Sequence, residues 1–179
     1  NIYLYRLNNI DKKKAILDLI SSEEKVVLNQ KSLHLAWCVV DPKTIEKYIT
    51  SLNEMGVDKI TFIYSDYSQK NFKVNIEKLE KILINSSCQC GRSNIIKLDV
   101  CKNIETFIKE NPDTYFLDFS NVSINEKCDE IKTLVIGCEG GFSAKEREKF
   151  NKENIVGFNS RLILRSETAI ISAGSKILL

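Results

Sequence analysis

The stretch Thr133-Leu134-Val135-Ile136-Gly137-Cys138-Glu139-Gly140-Gly141-Phe142-Ser143 decides the reading of this chain. Thr133 to Ile136 form a short apolar, β-branched run of the kind that suits a strand covered on both faces. Glycine at 137, 140 and 141 then lets the backbone turn with positive φ and approach a ligand without Cβ obstruction. Ser143 followed by Glu146 has the spacing of a capping box, which fixes the start of a helix just beyond the turn. Strand, glycine turn and helix start are the parts of a ligand-binding corner in a parallel α/β sheet, where sites lie at the carboxyl ends of strands.

Upstream, the chain repeats this alternation. An apolar run from Leu33 to Val40 is followed by a helix over Lys43 to Met55, with Ile45, Ile49 and Leu52 on one face and Gly56 as its stop. Lys59 to Tyr64 reads as a buried strand, and Val74 to Ser86 as a helix with Ile76, Leu79, Ile82 and Leu83 inward. Asn94 to Leu98 reads as a strand, Ile104 to Lys109 as a short helix and Thr114 to Phe119 as a strand. Strands alternating with amphipathic helices predict a mostly parallel sheet with helices on both faces, because parallel neighbours need a crossover. The first residues differ. Ile2 to Leu7 and Lys14 to Ile20 read as a hairpin around Asn8-Asn9-Ile10-Asp11, and a lone hairpin is marginal in water, so its sheet partners are expected to be missing here.

Downstream lies a second loop, Phe158-Asn159-Ser160-Arg161-Leu162-Ile163-Leu164-Arg165-Ser166-Glu167-Thr168-Ala169, leading into the apolar helix Ile170 to Leu179. Ser166 suits a helix cap and Glu167 the first turn. Arg161 and Arg165 flank an apolar run suited to an aromatic or thioether group, and Arg165 has Glu139 and Glu167 as candidate partners.

Two nucleotide-site readings fail on spacing, since neither GxxxxGK[ST] nor GxGxxG occurs in the glycine turn. Glu139 would also set a carboxylate against a phosphate, so a ligand with positive charge fits better. The chain has 179 residues, is 43% hydrophobic and carries a formal charge of +2, which is room for one sizeable core and excludes a polybasic mode of nucleic-acid binding. No apolar run reaches the ~18 residues of a membrane span, and Asn1-Ile2-Tyr3-Leu4-Tyr5 lacks the pattern of a signal peptide, so a soluble, cytoplasmic protein is expected. The six cysteines lack CxxC pairs, which argues for reduced thiols and no zinc site. The only histidine, His34, lies in an apolar strand, and with Cys38 it supplies two candidate ligands where zinc needs three or four.

Ile136-Gly137-Cys138-Glu139-Gly140-Gly141 and Leu162-Ile163-Leu164-Arg165-Ser166-Glu167-Thr168-Ala169 together resemble the signature of the ribosomal RNA small subunit methyltransferase E family. Leu52-Asn53-Glu54-Met55-Gly56-Val57 and Gln89-Cys90-Gly91-Arg92 are similar to two further family segments, and the match runs from Leu33 to Leu179. Cys138 replaces the family's usual proline, Cys88 a common acidic residue, and Ser65-Asp66-Tyr67-Ser68 an arginine-bearing segment.

The resemblance implies a SPOUT-type α/β fold, mostly parallel, with a C-terminal trefoil knot over residues 31–179. It also implies that residues 1–30 are a remnant of an N-terminal PUA-like β-barrel. The implied activity is methylation of uridine N3 in small-subunit ribosomal RNA, free or as the assembled subunit, by a homodimer using S-adenosyl-L-methionine. The cofactor residues so implied are Ile136, Gly137, Gly140, Phe158, Ser160, Leu162, Leu164, Thr168 and Ala169. Arg165, Glu139 and Glu167 are the catalytic candidates, Gln89, Arg92 and Arg161 the RNA-binding ones, and no metal is implied. Methylation of a ribose 2′-hydroxyl or a guanine by a related enzyme, or RNA binding by a non-catalytic knot, stays open at this level.

Overall fold

Apolar strands with no charged residue at their centres are buried in the middle of a six-stranded sheet, and the helices between them cover its faces. The computed structural model describes all 179 residues. In chain order the main body comprises β3 (His34–Cys38), α1 (Pro42–Glu54), β4 (Lys59–Ile63), α2 (Ile76–Cys90), β5 (Lys97–Cys101) and α3 (Ile104–Glu110). It continues with β6 (Tyr115–Leu117), α4 (Ile124–Lys127), β7 (Thr133–Ile136), α5 (Ala144–Arg147), β8 (Ile155–Val156) and α6 (Ser166–Leu178). The strand order is β5-β4-β3-β7-β6-β8 and every pairing is parallel. The chain builds β3, β4 and β5 outward, crosses back to β6, and then inserts β7 between β3 and β6. This reversal of direction is where open α/β sheets place their ligands.

Ile45, Ile49 and Leu52 of α1 are fully buried, as their spacing predicts, and Gly56 ends the helix region with φ of 94°. Trp37 and Phe62, paired across β3 and β4, and Leu134 and Val135 of β7 fill the centre of the core. His34 is a packed group rather than a reactive one. Its Nε2 lies 2.8 Å from Thr61 Oγ1 and its ring meets Phe107 edge-on. Burial, with Lys59 nearby, holds its pKa down at about 4.

Several boundaries differ from expectation, among them the start of α6 at Ser166 rather than Ile170. β5 runs Lys97–Cys101, not Asn94 to Leu98, because Asn94 belongs to the preceding turn: its carbonyl accepts from Ser87 Oγ at 2.8 Å and its side chain from Arg92 Nε. α2 continues to Cys90 and stops at Gly91, which takes φ of 77°. α4 and β8 went unread because four and two residues carry no measurable period.

The hairpin exists and is longer than its sequence suggested, β1 (Ile2–Ile10) against β2 (Ala15–Glu23), closed by Asp11 Oδ1 accepting from the amides of Lys13 and Lys14. It forms a separate two-stranded sheet, and every residue of both strands is exposed, apolar side chains included. The linker after it docks on the main body where Val27 and Ser93 exchange hydrogen bonds. No helix is long and apolar enough to cross a membrane.

Candidate active site

Parallel strands end on the same edge, so β6, β7 and β8 deliver three loops side by side: residues 118–123, 137–143 and 157–165. The middle loop is the glycine turn. Gly141 takes φ of 68° and donates its amide to the Cys138 carbonyl at 2.9 Å. A Cβ on Gly137 would sit 3.0 Å from Gly141 Cα, so the tightness of the turn requires glycine there.

The turn is fastened at its far end. Phe142 is buried in an aromatic cluster, edge-on to Phe150 at 5.0 Å between centroids, while Phe150 stacks on Phe116 of β6 at 3.8 Å. Such pairs contribute about 0.5–1.5 kcal/mol beyond the area they bury. The capping box read from the sequence is present in both directions: Glu146 N donates to Ser143 Oγ, and Ser143 N to Glu146 Oε2. Glu146 has a second task. Its other oxygen accepts from the amide of Asp66 at 2.9 Å, and Asp66 in turn accepts from Ser143 Oγ, so the loop after β4 is tied to the glycine turn. Tyr67 of that loop packs on Gly140, where a Cβ would lie 3.1 Å from Tyr67 Cβ.

Two more contacts join the three loops. Arg147 makes a bidentate ion pair with Asp118 at the end of β6 and donates through Nη1 to the Phe142 carbonyl at 2.7 Å; the carboxylate raises the guanidinium's already high pKa. Ser166 Oγ accepts from Trp37 Nε1 at 2.8 Å and donates to the Gly137 carbonyl at 2.6 Å. Ser166 is therefore not the cap of α6. The N-cap position is Arg165, which makes no side-chain capping bond, and the Ser166 hydroxyl is used across the fold instead.

Between these loops lies a cavity of about 690 Å³. Of the residues singled out in the sequence, Ile136, Gly137, Glu139, Gly140, Phe158, Ser160, Leu162, Leu164 and Ala169 line it. Arg165 and Thr168 are exposed and Glu167 is half-buried beside it, at the start of α6, none of them in the wall. Arg161 lines a smaller polar cavity of about 550 Å³ that shares Phe158 and Ser160 with the first. Gln89 is exposed on the last turn of α2. Arg92 departs from expectation: its side chain is only 7% exposed, and Nη1 donates to the Asn53 carbonyl at 3.0 Å beside Asp58. The guanidinium thus fastens α1 to the end of α2 and offers no open fork to a phosphate. Sequence reading missed Asp118, Arg147, Gly157 and Trp37. Only Asp118, at the carboxyl end of an expected strand, and Gly157, just before the second loop, had positions that could have marked them.

The chemistry of this wall is mixed. Leu117, Leu162, Leu164 and Phe158 supply apolar surface, the glycine turn supplies backbone groups, and Glu139 and Asp118 supply carboxylates. A profile of the RNA methyltransferase domain matches residues 28–178. The ribosomal RNA small subunit methyltransferase E of Helicobacter pylori is 38% identical over 177 residues, which cover 97% of this chain and 78% of the relative. That of Aquifex aeolicus is 28% identical over 183 residues, covering 96% and 78%. Among solved structures, a ribosomal RNA small subunit methyltransferase E from Neisseria gonorrhoeae bound to S-adenosyl methionine superposes with a TM-score of 0.78 at 16% identity, covering 96% of this chain and 75% of that one. By the extent of the profile match and of the likeness to the Helicobacter relative, the chain belongs to the RNA methyltransferase domain family and, within it, to the ribosomal RNA small subunit methyltransferases E.

Proposed function

We propose that this chain methylates N3 of a uridine in small-subunit ribosomal RNA, with S-adenosyl-L-methionine as methyl donor. The observation that carries the reading is the cavity at the carboxyl ends of β6, β7 and β8, walled by the same two loops whose sequences resemble the family signature. Its ~690 Å³ lies within the usual range for a small-molecule site. Apolar walls suit the adenine and thioether carbons, and the nearby carboxylates suit a cationic sulfonium and ammonium. The backbone of Ile136, Gly137, Gly140, Leu162, Leu164 and Ala169, with Phe158 and Ser160, would hold the cofactor, and Thr168 would act from the first turn of α6.

When bound, the cofactor supplies an electrophilic methyl group. The protein's own task is to bring uracil N3 into line and deal with its imide proton. Arg165 is exposed and enters none of the chain's ion pairs, so its fork is free to stabilise the imide anion or hold a phosphate. Glu139 in the wall and Glu167 at the head of α6 are the two candidates for accepting the proton, while Asp118, also in the wall, is held by Arg147.

The same reading extends to architecture. Family membership, the insertion of β7 between β3 and β6, and the return of α6 against β3 and β7 support a SPOUT-type trefoil knot over residues 31–179. Exposed apolar side chains on a two-stranded sheet support assigning residues 1–30 to a PUA-like β-barrel. A homodimer rests on family membership alone, because at the end of α6 Ile177 is buried, Leu178 is half-buried and only Leu179, just past the helix, is exposed. Gln89 and Arg161 remain the exposed candidates for RNA, and a ribosomal substrate implies the cytoplasm.

Two measurements test the proposal together: calorimetry of S-adenosylmethionine binding, and mass spectrometry of nucleosides from small subunits incubated with protein and cofactor. N3-methyluridine is the expected product. A methylated ribose or guanine would move the chemistry to another atom, and absence of cofactor binding would leave an RNA-binding protein without catalysis.

A further inference from the structure

Ser166 begins a helix that its side chain does not cap, and it is 96% buried, so neither local structure nor solvent explains a hydroxyl there. Its partners do. The Trp37 indole can only donate and the Gly137 carbonyl can only accept, so the single hydroxyl proton must point at Gly137 while a lone pair takes the indole N–H. The relay has one polarity and no alternative arrangement. It joins three elements remote in sequence: β3 through Trp37, the glycine turn through its first carbonyl, and the head of α6, where Arg165 and Glu167 flank Ser166. Trp37 is fully buried and lies in register with Ile136, the residue before the turn, so the anchor end cannot shift without disturbing the centre of the sheet.

Resting on the cofactor reading above, we infer that Ser166 is a positioning residue for the cofactor site: held by Trp37, it fixes the Gly137 carbonyl, and with it the glycine turn relative to Arg165, in the arrangement that receives S-adenosylmethionine. Removing the hydroxyl leaves the buried Trp37 N–H without an acceptor and the half-buried Gly137 carbonyl without its donor, and frees the turn to drift from α6. Cofactor binding beside the Gly137 carbonyl should therefore change the polarisation of the hydrogen bonds along the relay without displacing it. Trp37 is the only tryptophan of the chain, so its emission reports that change directly.

The test measures S-adenosylmethionine affinity by calorimetry and Trp37 emission at cofactor saturation, with melting to establish folding. The parental protein is expected to bind the cofactor with a change in emission. Ser166→Ala should bind about tenfold more weakly, as expected for leaving one buried donor unpaired, and show no emission change at saturation. Ser166→Thr should restore both properties. Trp37→Phe, which spares the bond to Gly137, should lose less affinity than Ser166→Ala. If Ser166→Ala does not fold, Ser166→Cys, a weak donor of similar size, should show the same weakened binding. Parental affinity in a folded Ser166→Ala or Ser166→Cys protein overturns the inference, as does a parental protein that binds cofactor with no change in emission. A parental protein that binds no cofactor refutes instead the proposed function on which the inference rests.

Discussion

Arg147 grips Asp118 through both nitrogens of one edge, Nε to Oδ2 at 2.6 Å and Nη2 to Oδ1 at 3.1 Å, with Asp118 only 11% exposed. The pair spans the loop after β6 and the helix after the glycine turn, and both residues face the cavity. Ion pairs on open surface contribute little, but bidentate geometry and a mostly buried carboxylate raise the value. Arg147→Ala also strips the Phe142 carbonyl of its donor. A loss of about 1.5–3 kcal/mol in denaturant unfolding is expected, in the range for hydrogen bonds to charged groups. Arg147→Lys should recover only part of it, since an ammonium cannot reproduce the fork. A parental unfolding midpoint for Arg147→Ala would mean the loops are held by other contacts.

Two glycines of the site should answer differently to substitution. At Gly157 a Cβ would lie 3.0 Å from the Asp118 carbonyl and from both Ser120 N and O, all backbone atoms that cannot turn away. At Gly140 the obstacle is the Tyr67 side chain, at 3.1 Å. Gly157→Ala is therefore expected to lower the melting temperature and cofactor affinity more than Gly140→Ala. Gly140→Val should be rescued in part by Tyr67→Ala, which keeps the Cβ at 3.1 Å but removes the ring atoms at 3.2 and 3.3 Å, a coupling that a double-mutant cycle reads directly. Additive effects at 140 and 67 would contradict this packing.

The course of the chain was largely legible because its strands are apolar runs and its helices carry a 3.6 period, as Ile45, Ile49 and Leu52 illustrate. The cavity was legible for a different reason: Gly137, Gly140 and Leu164 sit in loops whose composition is unusual for plain turns. What stayed hidden was tertiary. Nothing local to Ser166 separates a cap from a crossing hydroxyl, and nothing local to Arg92 shows that Asn53 will take its guanidinium. β8 escaped because two residues joined to β6 become a strand only through the partner.

His34 makes stability depend on pH in a definite direction. Burial lowers its folded pKa from 6.5 to about 4, so between those values the unfolded chain binds the extra proton. Its contribution is complete above pH 6.5, falls as pH drops through the window, and changes no further below about 4. Unfolding free energy measured from pH 7 to pH 4.5 should decline in the parental protein and decline less in His34→Gln, which can still bond to Thr61. The same slope in both proteins would show that His34 is protonated without penalty in the fold.

The chemical step separates Arg165 from the two glutamates. If uracil N3 is the nucleophile, its imide proton must leave, and the rate should rise with pH as deprotonation becomes easier. Arg165, exposed and outside every ion pair, would then stabilise the developing anion. Arg165→Ala is expected to slow methyl transfer by a factor on the order of 10²–10³, the usual loss for one donor to a developing anion, with a much smaller effect on cofactor affinity. Arg165→Lys should restore part of the rate, because charge returns without the planar fork. A carboxylate acting as base leaves another mark: Glu139→Gln or Glu167→Gln would flatten the pH dependence while keeping the shape of the site. Single-turnover rates against pH, on small subunits from a strain lacking the modification, separate chemistry from binding and release. An Arg165→Ala protein that methylates at the parental rate would exclude Arg165 from the reaction, leaving charge stabilisation to another group such as Arg161 at the neighbouring cavity.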